Sequence, residues 1–541
     1  MRRSLLLSPV LSLLLLAAPL AGMAAEEGGQ PAAGRSDQAQ ARVNQAYLRA
    51  VRLTDDEVRL ASLQGTLERY YGEPLTVPLL NAMLSDIQRH YAQAGYISSQ
   101  VYLPAQHSSD GSLEVAVRHG RIRPALAGEL SPAATTLYGD FLALEGQPFR
   151  LGLAENALRG PGSLDTLHTA LSFERVPETL DVLADVTVTA RPSTFMVYAD
   201  NHGSRAAGRY RLSALGVINN PLHRGDRLQG GVSASNEDMY SAVLGYTLPL
   251  SAAPWTAGVS VSYAGYELGY EYKSLSAVGE ALDVGAQTRY ALLSEATASA
   301  GVSGGLYYRD ITDSFERYGV ELHRQAAGGF IATDYAWRHG LHSLAGSTRL
   351  SMGRQRGDDW GVYADDTYAL VGQELLYAWQ ASGGVSGFFR GRAQLASAPL
   401  TSYERLTLTG AEALTMYDSG TLSADSGLYA QAGMQHHWTG AGAAWSVTPH
   451  LDFGLGHSHG GSTQALYGTG VDVAARWRGC FAQLQLGHAL ADINGERDAF
   501  SVFFRVGYQG GGGPAASPAA RAPQLDPREL PQGDDHVPAA P

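Results

Sequence analysis

"WTAGVSVSY", residues 255–263, sets Trp255, Ala257, Val259, Val261 and Tyr263 on one face and Thr256, Gly258, Ser260 and Ser262 on the other. That is the two-residue period of a β-strand, with one greasy face and one small, polar face. "YSAVLGYTLPL" (240–250) repeats it, with Tyr240, Ala242, Leu244, Tyr246 and Leu248 opposite smaller or polar neighbours. In "FSVFFRVGY" (500–508), Phe500, Val502, Phe504, Val506 and Tyr508 share a face, and Ser501, Arg505 and Gly507 lie opposite with Phe503. A soluble sandwich also alternates, but its polar face meets bulk water and carries more charge than Ser, Gly and Thr. A cylinder with lipid outside and water inside asks for the pattern as it stands. Residues 193–509, at about 20 per strand with its connection, predict a transmembrane antiparallel β-barrel of about 16 strands. Connections read short on one rim ("NNPLHRGD", "LSAAPW") and long on the other ("GRQRGDDWGVYADDTYA").

The rest of the 541-residue chain fits an exported, mainly β protein. "MRRSLLLSPVLSLLLLAAPLAGMAA" has a basic start, an apolar middle and small residues at its end, a signal peptide over residues 1–25. A signal anchor is the rival reading. No later segment reaches the roughly 18 apolar residues of a membrane helix, so any span must be made by strands. A net charge of −13 argues against nucleic acid as partner. Cys480 stands alone, so no intrachain disulfide is available. The 64 glycines and 28 tyrosines suit glycine-rich turns and aromatic strand ends. Residues 26–44 read as a flexible polar lead and 510–541, rich in Gly, Pro and Ala, as a disordered tail.

Between lead and barrel lie two small α+β modules, 45–123 and 124–192. In the first, "YLRAVRL" is a strand, and "TDDE" a capping box in which Thr54 accepts from the backbone and Glu57 reaches back. Helices follow at 55–71 and 76–94, the second with Leu80, Met83, Leu84, Ile87 and Tyr91 at helical spacing. Gly95 ends that helix, and "GYISSQVYLPAQ" (95–106) alternates until Pro104 stops the strand. "SLEVAVRHGRI" returns across "SSDG". In the second module "LEGQPFRLGLAENALR" supplies a helix, and alternation of Leu167, Thr169, Leu171 and Phe173, then of Val182, Ala184, Val186 and Val188, supplies strands.

These stretches carry a family resemblance. "LTVPLLNAMLSDIQRHYAQAGYISSQVYLPAQ" followed by "GSLEVAVRHGRI" resembles the first polypeptide-transport-associated (POTRA) module of two-partner secretion transporters, the haemolysin secretion/activation type of outer-membrane pore. The resemblance rests on Gly95, Tyr96, Leu103, Pro104, Gln106, Gly120, Arg121 and Ile122, and it implies that Gly95, Tyr96, Val101, Leu103, Pro104, Gln106, Gly120 and Arg121 recognise the client. "ADNHGSRAAGRYR" resembles the start of the family's barrel at Asp200, Asn201, Gly203, Ser204 and Gly208; Gly225, Asp226, Tyr246, Pro249 and Leu250 also match. The frame of the family's inward-folded sixth loop is present as "LTLTGAEALTMYDSGTLSADSG", with Gly410, Asp425 and Gly427. Its Val-Arg-Gly-Tyr motif, however, reads Leu414, Thr415, Met416, Tyr417. The arginine that would pair with the barrel-wall acid Asp452 of "HLDFG" is missing, which predicts an unpaired Asp452 and a lost charge-assisted tether. Two further departures are a lead too short for the family's plug helix and linker, and a chain that runs on past Tyr508.

The resemblance implies an outer-membrane protein of a Gram-negative bacterium with its POTRA modules in the periplasm. Its partners would be a secreted, β-rich exoprotein, the surrounding outer-membrane lipid and the barrel-assembly machinery that inserts it. An unfolded client would pair with an open strand edge through its backbone, then pass through the pore. No cofactor, metal or catalytic residue is implied. An adhesin or passive porin with a periplasmic module is the alternative, separable by a large filamentous exoprotein gene next door.

Other motifs have simpler readings. "GHSHG" (456–460) matches the G-x-S-x-G nucleophile elbow of serine hydrolases, but His488 follows within an alternating strand and leaves no room for the remaining sheet and helices. His457 with His459, or His436 with His437, lacks an evident third metal ligand. "RGD" at 224–226 reads as hairpin turn chemistry. "DDWGVYADD" reads as a solvated outer loop more readily than a Ca²⁺ site.

Overall fold

The computed structural model describes residues 47–511, apart from 109, 129–134, 251–253, 268, 270–275, 296, 358–365 and 494–499. The signal peptide, the lead, residues 512–541 and most of "DDWGVYADD" lie outside the described residues. The two α+β modules come first. In the first, β1 (Ala50–Thr54), β2 (Gln100–Tyr102) and β3 (Ser112–Arg118) form a sheet in the order β1-β3-β2, parallel on one side of β3 and antiparallel on the other. Helix α1 (Val77–Gln93) starts at Thr76, whose hydroxyl accepts from the Leu79 N–H, and packs Met83, Ile87 and Tyr91 onto Leu113, Val115 and Val117. Gly95 follows it at φ +94°, the left-handed turn that glycine adopts without strain.

The first predicted helix is not formed as drawn. Thr54 stays in β1, Asp55 and Arg59 take positive φ, and only short helical turns over Ala61–Tyr70 remain. The cause is Asp56: its carboxylate caps the Val58 and Arg59 N–H groups and is held by Tyr91 (2.5 Å) and His119 (3.0 Å). A tertiary network therefore overrides the local capping box.

In the second module β4 (Ile122–Gly128), β5 (Leu167–Arg175) and β6 (Val182–Ala190) pair in the order β4-β6-β5 over a core of Tyr138, Phe141, Phe149 and Val186. Ile122 and Arg123 thus belong to the second sheet, on the far side of the 123/124 line drawn from sequence.

The chain then enters the barrel. Its first strands are β7 (Thr194–Asp200), β8 (Arg211–Asn219), β9 (Arg227–Ser235), β10 (Tyr240–Pro249) and β11 (Trp255–Glu267). The tall side follows, with β12 (Ala277–Ser294), β13 (Ala298–Phe315), β14 (Val320–His339), β15 (His342–Arg356), β16 (Asp366–Gln380) and β17 (Val385–Ala396). Two short strands, β18 (Leu406–Thr407) and β19 (Ser423–Ala424), pair only with each other. The barrel resumes with β20 (Ser426–Gly440), β21 (Ala443–His457), β22 (Thr463–Trp477), β23 (Cys480–Ala489) and β24 (Phe500–Gly511). β24 pairs with β7, closing sixteen antiparallel strands; the last strand runs two residues beyond 509.

Alternation assigns the faces as the sequence predicts. Leu306, Ile331, Leu395, Leu451 and Phe500 point outward and expose most of their surface, as lipid-facing side chains must. The rim next to the modules has tight turns such as Ala441-Gly442 and Arg478-Gly479, with positive φ at both residues of each, the hairpin geometry that matches strand twist. The opposite rim carries the long connections. Asp226 of "RGD" is buried in the β8–β9 turn, accepting from the Leu222 and Arg224 N–H groups and the Tyr246 hydroxyl. That turn also docks the second module, since Thr166 donates to the Gly225 carbonyl at 2.7 Å and a Cβ on Gly225 would crowd Leu137, Leu164 and Leu167.

Candidate functional site

The eight POTRA residues singled out from sequence fall into two groups. Gly95, Tyr96, Gly120 and Arg121 build the joint between the modules. The Gly120 carbonyl accepts from Phe149 N–H at 2.7 Å and the Gly95 carbonyl from Leu151 N–H at 3.3 Å. A side chain on Gly120 would overlap the Leu180 carbonyl. The Arg121 guanidinium bridges Glu57 and the Gly146 carbonyl, both at 2.6 Å, and the Arg150 guanidinium lies over the Tyr96 ring. They lie at the contact between the modules, away from the sheet edge.

Val101, Leu103, Pro104 and Gln106 lie along that edge. Gln106 takes over where β2 stops: its amide accepts from Glu114 N–H at 2.8 Å and donates to Glu114 carbonyl at 2.7 Å, as a strand residue would. The outer edge of β2, expected to be open, is partly occupied from within. Gln88 of α1 accepts the Val101 N–H at 3.0 Å and donates to the Ser99 carbonyl at 2.7 Å. Gln88 was not singled out from sequence, because its helical position looks like any solvated polar site.

The second region is the lumen. The chain between β17 and β20 folds inward and fills part of the barrel. Its base is pinned by Asp425, which accepts from Leu400 N–H (3.0 Å) and His459 N–H (2.8 Å), and by Glu404, bonded to Arg309 and to the Tyr368 hydroxyl (2.7 Å). Gly410, at φ +121°, turns the chain, and Gly427 leaves room for the Leu455 carbonyl. At the tip, Leu414, Thr415 and Met416 are fully buried and Tyr417 nearly so, its hydroxyl donating to the Ala491 carbonyl at 2.8 Å.

The loop is seated mainly by shape. Leu414 lies against Gly454 and Met416 against Gly468 and Gly487, wall positions where any Cβ would meet the loop. The expectation for Asp452 is corrected. It accepts from Gln431 Nε2 (2.9 Å) and Thr415 Oγ1 (3.4 Å) and pairs with His450 Nδ1 (2.7 Å), all buried. His450 comes from the wall itself, two residues before Asp452, so its alternation places it beside the acid. The loop keeps one hydrogen bond, from the uncharged Thr415 hydroxyl, where an arginine would have bound. Its charged ties are elsewhere, through Asp418 to Arg205 (2.6 Å) and Arg209 (2.9 Å) and through Glu412 to Arg505 (2.7 Å). Between the loop and the rim next to the modules, as far as Gly340 and Gln380, a cavity of about 1420 Å³ remains.

"GHSHG" is the β21–β22 hairpin, not a strand-to-helix turn: Ser458 accepts from Arg405, and His459 bonds to Asp425. Among the described residues no group of three or more His, Cys, Asp or Glu could hold a metal.

Comparison with known proteins agrees with this architecture. Residues 181–475 match the family model for haemolysin secretion/activation protein ShlB/FhaC/HecB, and residues 47–120 match a ShlB-type POTRA domain. The heme/hemopexin transporter protein HuxB of Haemophilus influenzae (strain 86-028NP) is 21% identical over 408 residues, 71% of this chain and 70% of that protein. The outer membrane transporter CdiB of Escherichia coli is 30% identical over 200 residues, 36% of this chain and 32% of its own. A solved structure of CdiB from Escherichia coli superposes with a TM-score of 0.66 at 17% identity, covering 88% of this chain and 93% of that one. The chain belongs to the haemolysin secretion/activation family and is an outer-membrane transporter of two-partner secretion.

Proposed function

We propose that this transporter captures an unfolded, β-rich exoprotein on the outer edge of β2 and passes it, extended, through the barrel. The observation that carries this reading is the β2 edge itself. Val101 presents backbone groups away from β3, held only by a side chain that an incoming strand can replace, and Leu80, Leu84, Val101 and Leu103 are half-buried beside it. Backbone pairing demands little sequence from the client, and the groove supplies selectivity. Val101, Leu103, Pro104 and Gln106 are then the recognition residues, and Gly95, Tyr96, Gly120 and Arg121 set the angle at which the second module hands the client to the lumen. The loop bearing Gly410, Leu414, Thr415, Met416, Tyr417, Asp425 and Gly427 is the plug that must yield, with Asp452 as part of its seat. We further assign residues 1–25 as the signal peptide, outer-membrane lipid as the barrel's surroundings and the barrel-assembly machinery as its route of insertion.

A passive porin fits less well, because the packed tip of Leu414 and Met416 obstructs the lumen. Deleting residues 45–121, which leaves β4 of the second module whole, tests the proposal: one exoprotein disappears from the medium while the barrel still inserts. Undiminished secretion without that module would refute capture there.

A further inference from the structure

We propose that Glu412 latches the lumenal loop to the seam where the barrel closes, so that release of this one residue both frees the loop and loosens the seam. The seam is short. β24 and β7 share seven register pairs, ending at Asp200↔Arg505, whereas β24 continues upward to Phe500. Above that pair a single residue substitutes for a strand: Asn201 accepts the Phe504 N–H (2.6 Å) and donates to the Val502 carbonyl (2.8 Å) through its side chain, and its own N–H meets the Phe504 carbonyl (3.2 Å).

The charges at this point link three elements. Asp200, fully buried on the first strand, accepts from Arg211 (2.9 Å) and Arg505 (3.3 Å). Arg505, on the last strand, lies over the Tyr198 ring and reaches Glu412 of the loop at 2.7 Å. His202 closes the circuit. Its backbone N–H donates to Asp200 (3.1 Å), its ring nitrogen Nδ1 lies 3.3 Å from Glu412 and 3.0 Å from Arg505, and its ring packs edge-on to Phe503. Removing Glu412 leaves Arg505 with an acid it already shares with Arg211, and deprives His202 of its second carboxylate.

The members differ in what their release would leave behind. Asp200 has no exposed side-chain surface, and parting it from both arginines would strand a buried charge. Glu412 has 73% of its side chain open to lumen water, so it can let go and be solvated. The accessible acid is therefore the release point, and the buried one the fixed anchor.

The test uses the full chain in planar bilayers and hydrogen exchange in detergent. Glu412→Gln, isosteric and on a loop, should raise open probability about five-fold, the upper end for losing an accessible charge pair, and speed exchange in residues 500–505. Asp418→Asn cuts a different tie of the loop, to Arg205 and Arg209 outside the strands, and should raise opening without speeding that exchange. Wild-type protein moved from low to high salt should show both raised opening and faster exchange, since screening weakens the Glu412 and Asp418 pairs together. Unchanged opening in Glu412→Gln, or raised opening with exchange at 500–505 unaltered, would overturn the latch.

Discussion

Gln88 holds the one backbone amide of β2 that a client strand would seek, accepting the Val101 N–H at 3.0 Å while donating to the Ser99 carbonyl at 2.7 Å. An uncovered edge strand is an aggregation hazard in an extracytoplasmic domain, and a side-chain amide is a removable cover. Gln88→Ala should therefore increase affinity for an extended client peptide by up to about thirty-fold, because two hydrogen bonds of about 1 kcal/mol net each no longer compete. Isothermal titration of the transporter with such a peptide measures it. An affinity equal to or below wild type would show that Gln88 supports the edge instead of guarding it.

The loop tip depends on wall glycines, which gives a steric prediction. A side chain at Gly487 would overlap the Thr415 carbonyl and the Met416 backbone, and one at Gly468 would press on the Met416 side chain. Gly487→Val should cost the seated loop about 1–3 kcal/mol, the range for overpacking, and shift the channel toward open states. Single-channel recording reads that change, and retained heat-modifiability on gels shows that the barrel still closes. Met416→Ala acts in the same direction by removing the buried thioether.

Much of this was legible in the chain, for a physical reason. Lipid and water impose opposite demands on successive residues, so each strand from Thr194 to Gly511 carries its facing in its own alternation, Arg505 included. The capping box at Thr54 was misleading because Asp56 is claimed by Tyr91 and His119, partners 35 and 63 positions away. Glu412 and Arg505 stand 93 positions apart on a loop and a strand, and no local pattern joins them. His450 was findable: a period-2 reading of "HLDFG" puts it on the same face as Asp452.

Acid should loosen the modules before the barrel. Burial pushes Asp56 up, but hydrogen bonds from Tyr91, His119 and the Arg59 and Val58 N–H groups outweigh it and leave the carboxyl below its ordinary value. The Arg121 N–H, then the Arg123 side chain, holds Asp181 low as well. Both acids bind protons more weakly folded than unfolded, so their stabilisation is complete above the unfolded pKa and is lost as pH falls through the folded one, below about pH 4. Calorimetry should show a module transition that drops with acid, and Asp56→Asn should be destabilised at neutral pH with a flatter acid limb. An acid limb identical in Asp56→Asn and wild type would remove Asp56 from the account.

The tryptophans give a direct test of membrane depth. Trp255, Trp337, Trp379, Trp438, Trp445 and Trp477 all lie within a few residues of the strand ends on the rim next to the modules, and Trp255, Trp337, Trp438 and Trp477 are each at least 40% exposed on the outer face. Trp438 and Trp445 stack across the β20–β21 pair, and Trp255 packs against Tyr290. An aromatic girdle of this kind settles at the headgroup level, where a ring is half apolar and its N–H is wet. In liposomes, intrinsic fluorescence should be quenched most by lipids labelled near the headgroup and least by lipids labelled at the chain ends. Replacing Trp255 and Trp477 by Phe should reduce that shallow quenching while leaving the barrel folded. Strong quenching from chain-end labels would place this rim in the hydrocarbon and contradict the span assigned to the strands.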